Sequence, residues 1–132
     1  MYTRKLAILI AASVAACAPT TSGAGAEDFN LAGSEWGLES GAHVPFIQFT
    51  GEGKAVGNGG CNRFSGSYEQ TGNQISFGRI MSTKMACLEL DQENAFFQAL
   101  DQTRSFRGDH LKLVLMSDTG DTLLTLNRRD WD

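Results

Sequence analysis

The stretch GNGGCNRFSGSYEQTGNQISFGRIMSTKMAC, residues 57–87, decides how the rest of this chain is read. It holds Cys61 and Cys87, two of the three cysteines in the chain. A glycine-rich turn at 57–60 precedes Cys61. An alternating run follows at 64–68, with Phe64 and Tyr68 on one face and Gly66 between them. A glycine inside such a run marks a bend, a bulge or a close approach. Residues 70–73, QTGN, have turn chemistry, and Ile75 and Phe77 then alternate on a return strand. Cys87 stands just before the clearest helical pattern in the chain. The two cysteines are therefore expected to clamp a β-hairpin to the start of that helix.

Reading outward from this segment, residues 91–94, DQEN, open the helix. Asp91 is the expected N-cap, and Glu93 places negative charge in the first turn. Phe96, Phe97 and Leu100 make an apolar stripe at helical spacing, which packs into a core. The helix should fade at 102–104. Beyond it, Leu111, Leu113 and Leu115 alternate, residues 117–121 turn, and Leu124 and Leu126 line a return strand before a polar tail from residue 128. On the other side, Trp36 and Leu38 share a face at strand period, as do Ile47 and Phe49. Pro45 suits a strand start, residues 50–53 turn, residues 54–57 return, and a further short strand falls within 80–83. Fifteen glycines against two prolines agree with many tight turns. The predicted fold class is α+β, mainly antiparallel β with one packed α-helix.

The N-terminus reads as an export signal. Arg4 and Lys5 precede an uncharged apolar run at 6–16, which is too short to span a membrane. The run ends in VAAC at 14–17, which resembles the lipobox of bacterial lipoproteins, where small residues precede a cysteine that is lipidated and becomes the first mature residue. Ordinary cleavage at the same small residues is the alternative. On the lipoprotein reading, residues 1–16 are the signal peptide and residues 17–28 are a flexible tether leaving lipidated Cys17. Residues 29–129 are then the folded domain. By resemblance to that class, Ala18 after the cysteine favours the periplasmic face of the outer membrane. Lipidation would also leave two cysteines out of three, and two can pair. Losing Arg4 and Lys5 without losing an acid takes the formal charge from −4 to −6. That balance argues against a nucleic-acid partner.

Three readings of Cys61 and Cys87 stay open on sequence: a structural disulfide, two buried thiols packed as small hydrophobes, and a redox pair. No Cys-x-x-Cys spacing supports the last. The sequence distance of 26 residues would make a disulfide stabilising by about 3.5 kcal/mol on the loop-entropy model, an upper-side figure. No catalytic constellation, metal site or cofactor is expected. Residues 57–60 lack the Gly-Lys-Ser/Thr of a phosphate loop. His43 and His110 have no second ligand at metal spacing. Asp118 and Asp121 straddle Gly120 as turn residues do, with too few oxygens for calcium. Phe46, Phe64, Tyr68 and Phe77 are candidates for lining a hydrophobic cavity, although a filled interior is the simpler outcome for a small barrel.

Several pieces match a known family together and in order: LAGSEW at 31–36, GGCNRFSGSY at 59–68, STKMAC at 82–87, Glu93 with Phe96 and Leu100, and LKL at 111–113 through DTG at 118–120 to Leu123 and Leu124. The sequence resembles the META domain, or HslJ-like, family of bacterial envelope proteins, from about Leu31 to Arg128. The resemblance implies a small, partly open antiparallel β-barrel with one helix packed against it. It also implies links to heat shock and stress response. It carries no catalytic residues, since no biochemical activity is established for the family. The expected function is a non-enzymatic envelope lipoprotein that binds or supports another envelope component. The alternative is a carrier of a lipid or small hydrophobic ligand. The expected partners are the membrane, through Cys17, and an unidentified envelope protein or hydrophobic ligand. Replacing Cys17 with Ala should abolish incorporation of labelled fatty acid in cells, and undiminished labelling would remove the lipid anchor from this reading.

Overall fold

The computed structural model describes residues 29–38 and 44–130. Cys17, His43, Trp131 and the boundaries expected upstream of residue 29 lie outside the described residues. The strands are β1 Glu35–Gly37, β2 Phe46–Phe49, β3 Lys54–Asn58, β4 Arg63–Thr71, β5 Gln74–Phe77, β6 Met81–Ser82, β7 Ser105–Gly108, β8 Lys112–Met116 and β9 Thr122–Arg128. Helix α1, Leu90–Gln102, lies between β6 and β7. Every strand pair is antiparallel.

Hydrogen-bonded neighbours run β3-β2-β1-β9-β8-β7-β5-β4, and β4 pairs back to β3. The sheet therefore closes into a ring. Strand β4 makes closure possible because it is nine residues long and serves three neighbours. Its first half pairs with β3 on one edge, from Arg63 opposite Asn58 to Ser67 opposite Lys54. On its other edge, Phe64 and Ser65 pair with β6, and residues 68–71 pair with β5. The thinnest seam joins β5 to β7. One aligned pair, Gln74 and Ser105, is flanked by two bonds, Ile75 N–H to the Arg104 carbonyl at 3.1 Å and Phe106 N–H to the Asn73 carbonyl at 2.9 Å. The result is the partly open barrel that the family resemblance implies.

Period-two alternation fills the interior. Ile47 and Phe49, Phe64 and Tyr68, Leu113 and Leu115, and Leu126 all point inward and are buried. Helix α1 adds Phe96, Ala99 and Leu100. Phe64 meets the helix directly, with ring centroids 5.9 Å from Phe96 and 5.3 Å from Phe97. Around Phe49, Tyr68 lies edge-on at 4.8 Å and Phe77 at 6.1 Å. Aromatic pairs at these separations add to simple burial.

Three expectations need correction, and one strand, β7, is an addition to them. The helix begins at Leu90 rather than Asp91, and Glu89 occupies the cap position with no side-chain capping bond. The disulfide and the Glu93 contacts described below hold this helix end, so a local cap is not what starts it. Strand β7 is invisible to periodicity because SFRG contains one apolar residue, Phe106. It forms because β8 and β5 pair with it. Leu111 is 54% exposed and precedes β8. It sits in a turn that Asp109 organises by accepting the N–H groups of Leu111 and Lys112 at 2.7 and 2.8 Å. These two bonds hold the Asp109 carboxyl below its ordinary pKa. Finally, β9 takes in Arg128, the first residue of the expected polar tail, and ends there. The Arg128 guanidinium lies 5.4 Å from the Trp36 ring centre, and that of Arg129 lies 4.6 Å from Phe46, both within cation–π range.

Gly57 is a place where strand geometry requires glycine. A Cβ there would come within 2.1 Å of the Phe46 carbonyl oxygen on β2. Gly51, in the turn, has nothing within 4 Å of that position. Gly57→Ala should lower the unfolding free energy by about 1–3 kcal/mol through forced backbone displacement, while Gly51→Ala should change it by about 0.5 kcal/mol or less. Denaturant midpoints of the two variants check this.

Candidate functional site

The glycine-rich turn, the loop before α1 and the first turn of α1 meet at one end of β4. At their centre are two buried polar side chains, Asn62 at 2% exposure and Glu93 at 3%. The Glu93 carboxyl accepts three hydrogen bonds. Its Oε1 takes the backbone N–H of Asn62 and that of Cys61, the latter at 3.2 Å. Its Oε2 takes Asn62 Nδ2 at 2.7 Å. The amide of Asn62 is shared with the loop. Nδ2 also donates to the Met85 carbonyl at 3.1 Å, and Oδ1 accepts Met85 N–H at 2.7 Å and Thr83 Oγ1 at 2.9 Å. The Asn62 carbonyl accepts Gly59 N–H at 3.0 Å. One asparagine thus ties β4, the 83–85 loop and the helix together.

The two glycines of the Gly-Gly-Cys-Asn motif have separate jobs. A Cβ on Gly59 would lie 2.6 Å from Glu93 Cγ and 2.8 Å from Phe97 Cζ, so only glycine lets the turn approach the helix. Gly60 has φ +113°, which disfavours a side chain. Asn58 Oδ1 accepts Gly60 N–H at 2.7 Å and fixes the turn. Cys61 and Cys87 then form a disulfide with Cα atoms 6.0 Å apart, inside the usual range. Of the three readings of these cysteines, the structure takes the structural bridge. Cys61 Sγ also lies 3.5 Å from the Met85 carbonyl.

Sequence reasoning missed Glu93 as a buried ligand and read it only as charge for the helix dipole. It missed Asn62 as well. The available signal was the asparagine directly after Cys61 in the motif. No feature of the chain by itself shows that its amide faces a glutamate 31 residues away.

The four aromatic residues considered as cavity lining are placed differently. Phe64 and Tyr68 belong to the packed core, Phe77 packs against it, and Phe46 lies under Arg129. Neither of two surface hollows among the described residues is lined by Phe46, Phe64 or Phe77. One, of about 520 Å³, follows the β5–β7 seam and is polar, with Glu69, Arg104 and Asp118 on its walls. The other, of about 450 Å³, lies beside Phe29, Tyr68 and Gln70. There the Tyr68 hydroxyl donates to the Thr50 carbonyl at 3.0 Å, and burial raises the pKa of its phenol. Gln70 binds the same end together. Its Oε1 accepts Leu31 N–H at 3.1 Å, and its Nε2 donates to the Phe29 carbonyl. His110 is exposed in the β7–β8 turn. Among the described residues, no group of three or more His, Cys, Asp or Glu side chains could hold a metal, and no helix is long and apolar enough to cross a membrane.

An antiparallel ring of strands with one packed helix is a class of β domain that other proteins share. The META domain family model matches residues 27–130, and the chain belongs to that family. Among solved structures, it resembles the NMR structure of a protein from Burkholderia xenovorans, with TM-score 0.66 and 23% identity, covering 89% of this chain and 100% of that one. A second NMR structure aligns with TM-score 0.57 and 24% identity over 74% and 90% of the two chains. A crystal structure of a DUF4847 family protein from Bacteroides vulgatus aligns with TM-score 0.55 and 20% identity over 68% and 62%. At these identities the likeness concerns the fold. No curated protein matches the sequence.

Glu93→Gln leaves Oε1 in place but sets an Nε2 donor against the Asn62 Nδ2 donor. The expected loss is about 1–3 kcal/mol of unfolding free energy, against about 0.5 kcal/mol or less for exposed Asp91→Asn. Chemical denaturation of both variants, with the disulfide intact, checks this. Alkylation of the unfolded, unreduced protein should label neither Cys61 nor Cys87, and labelling of both would remove the bridge.

Proposed function

We propose that this chain is a non-enzymatic META-domain lipoprotein of the bacterial envelope, tethered through Cys17, whose rigid domain binds or supports another envelope component. The observation that carries the reading is how the polar side chains at the clamp are used. Asn62, Glu93, Thr83 and the two sulfurs all bond to one another or to backbone, which leaves no donor, base or nucleophile aimed at a vacant position. Catalytic sites instead hold such groups poised for a substrate. Against this saturated interior, the loop beside it presents Met81, Met85 and Leu88 at 67%, 59% and 100% exposure. Exposed apolar side chains on a well-held segment are what a binding surface offers. A carrier role would need an apolar cavity, and no observation favours one, because the candidate aromatic side chains pack on each other or on Arg129.

Photo-crosslinking in intact envelopes tests the reading. A crosslinker placed at Met85 should give a strong adduct in the envelope, to lipid or to protein, and the same group on Glu52, in the turn between β2 and β3, should give much less. Equal, diffuse capture from both positions would count against a binding role.

A further inference from the structure

We propose that residues 79–88 form a finger that docks on an anionic lipid surface, with Met81, Met85 and Leu88 entering the interface and Arg79, Lys84 and Arg63 facing lipid phosphates. The proposal goes beyond the tether. It concerns how the folded domain meets a bilayer, whatever recruits the chain there.

Four large hydrophobic side chains stand exposed among the described residues, and three of them belong to this segment. Their exposure is imposed by anchors that alternate with them. Met81 belongs to β6, whose partner across the ladder is Ser65 on the outward face of β4. Thr83 and Met85 are held by Asn62, and Cys87 is held by the disulfide. Leu88 follows directly, fully exposed. A loop fastened at Thr83, Met85 and Cys87 cannot fold its apolar groups back into the barrel. Such preorganisation lowers the ordering cost of binding.

Charge points to the occupant. Between residues 79 and 88 the only charges are the cations Arg79 and Lys84, in a chain of net charge −4. Arg63 joins them across the β4–β6 pairing, where its carbonyl accepts Thr83 N–H at 3.1 Å. Among the described residues, ion pairs form at Arg128 and Arg129 and at none of these three cations. Acids resume at Glu89 and Asp91 as the helix begins, and Glu93 is turned inward. Apolar tips interleaved with long cations match a bilayer interface, where the tips sink below the headgroups and the cations remain at phosphate level. Three side chains fall well short of the roughly 800 Å² a side that a specific protein interface buries, whereas a bilayer demands no shape match.

Reach permits this contact on the membrane that would hold Cys17. Eleven residues, 18–28, separate Cys17 from Phe29, about 36 Å when extended. The entry point at Phe29 and Gln70 and the loop at Arg63 are separated by seven steps of β4, about 23 Å.

The full chain is mixed with vesicles of phosphatidylglycerol and phosphatidylethanolamine, carrying a benzophenone amino acid in place of either Leu88 or Asp118, the latter in the exposed turn between β8 and β9. The lipid adduct yield at position 88 should exceed that at 118 severalfold, a ratio independent of how the chain is recruited. It should fall on phosphatidylcholine vesicles, and fall about fivefold in each of Arg79→Gln and Lys84→Gln. All variants should keep the alkylation-resistant disulfide, which reports folding. Equal lipid yields at 88 and 118, undiminished yield on neutral vesicles, or adducts from 88 to a second protein chain in place of lipid would each overturn the proposal.

Discussion

A single buried carboxyl holds this fold in its observed form. Glu93 sits in the first turn of α1 with almost no solvent contact, and three donors from Cys61 and Asn62 converge on it. A buried acidic group without partners would be strongly destabilising. Here the donors come from a turn distant in sequence, so the group is satisfied only when the helix and the head of β4 are docked. Helix docking and turn formation are therefore one event. The surrounding glycines follow from the same constraint, because Gly59 must leave room for the Glu93 side chain.

The disulfide reinforces this junction. It fastens Cys61, whose N–H already points at Glu93, to Cys87 at the foot of the helix. Its chain-entropy contribution acts on the unfolded state. The Asn62–Glu93 bonds act on the native state, and Asn62 extends them to Thr83 and Met85. Between them, the two devices fix a loop that contributes little to the core. The domain invests its most specific polar contacts in holding a surface segment that carries exposed Met85 and Leu88.

The barrel itself is simpler. Its closure depends on β4 being long enough to serve β3 on one edge and both β5 and β6 on the other. Its interior is a packed set of aromatic and branched side chains. At the β5–β7 seam only a short overlap aligns, with Gln74 opposite Ser105. Phe96, Ala99 and Leu100 of the helix add the buried side chains that the strands alone would lack.

The amino-acid sequence alone determined the strand and helix inventory wherever alternation was strong: Ile47 and Phe49, Phe64 and Tyr68, Leu113 and Leu115, and the stripe Phe96, Phe97 and Leu100. Its Gly-Cys-Asn and Met-Ala-Cys motifs also pointed to its family, while the bridge between Cys61 and Cys87 stayed one of three readings until the fold brought the two sulfurs together. Those signals are local, being periods of two or of about 3.6 residues and short ordered motifs. Strand β7, the exposure of Leu111, the start of α1 at Leu90, and the arginine side chains over Trp36 and Phe46 depend on partners distant in the chain. Only the tertiary structure could decide them. The role of Glu93 belongs with these, because a glutamate in a first helical turn looks the same in sequence whether it faces water or three buried donors. What separates the two cases is the close approach of the 59–62 turn, a property of the folded ring.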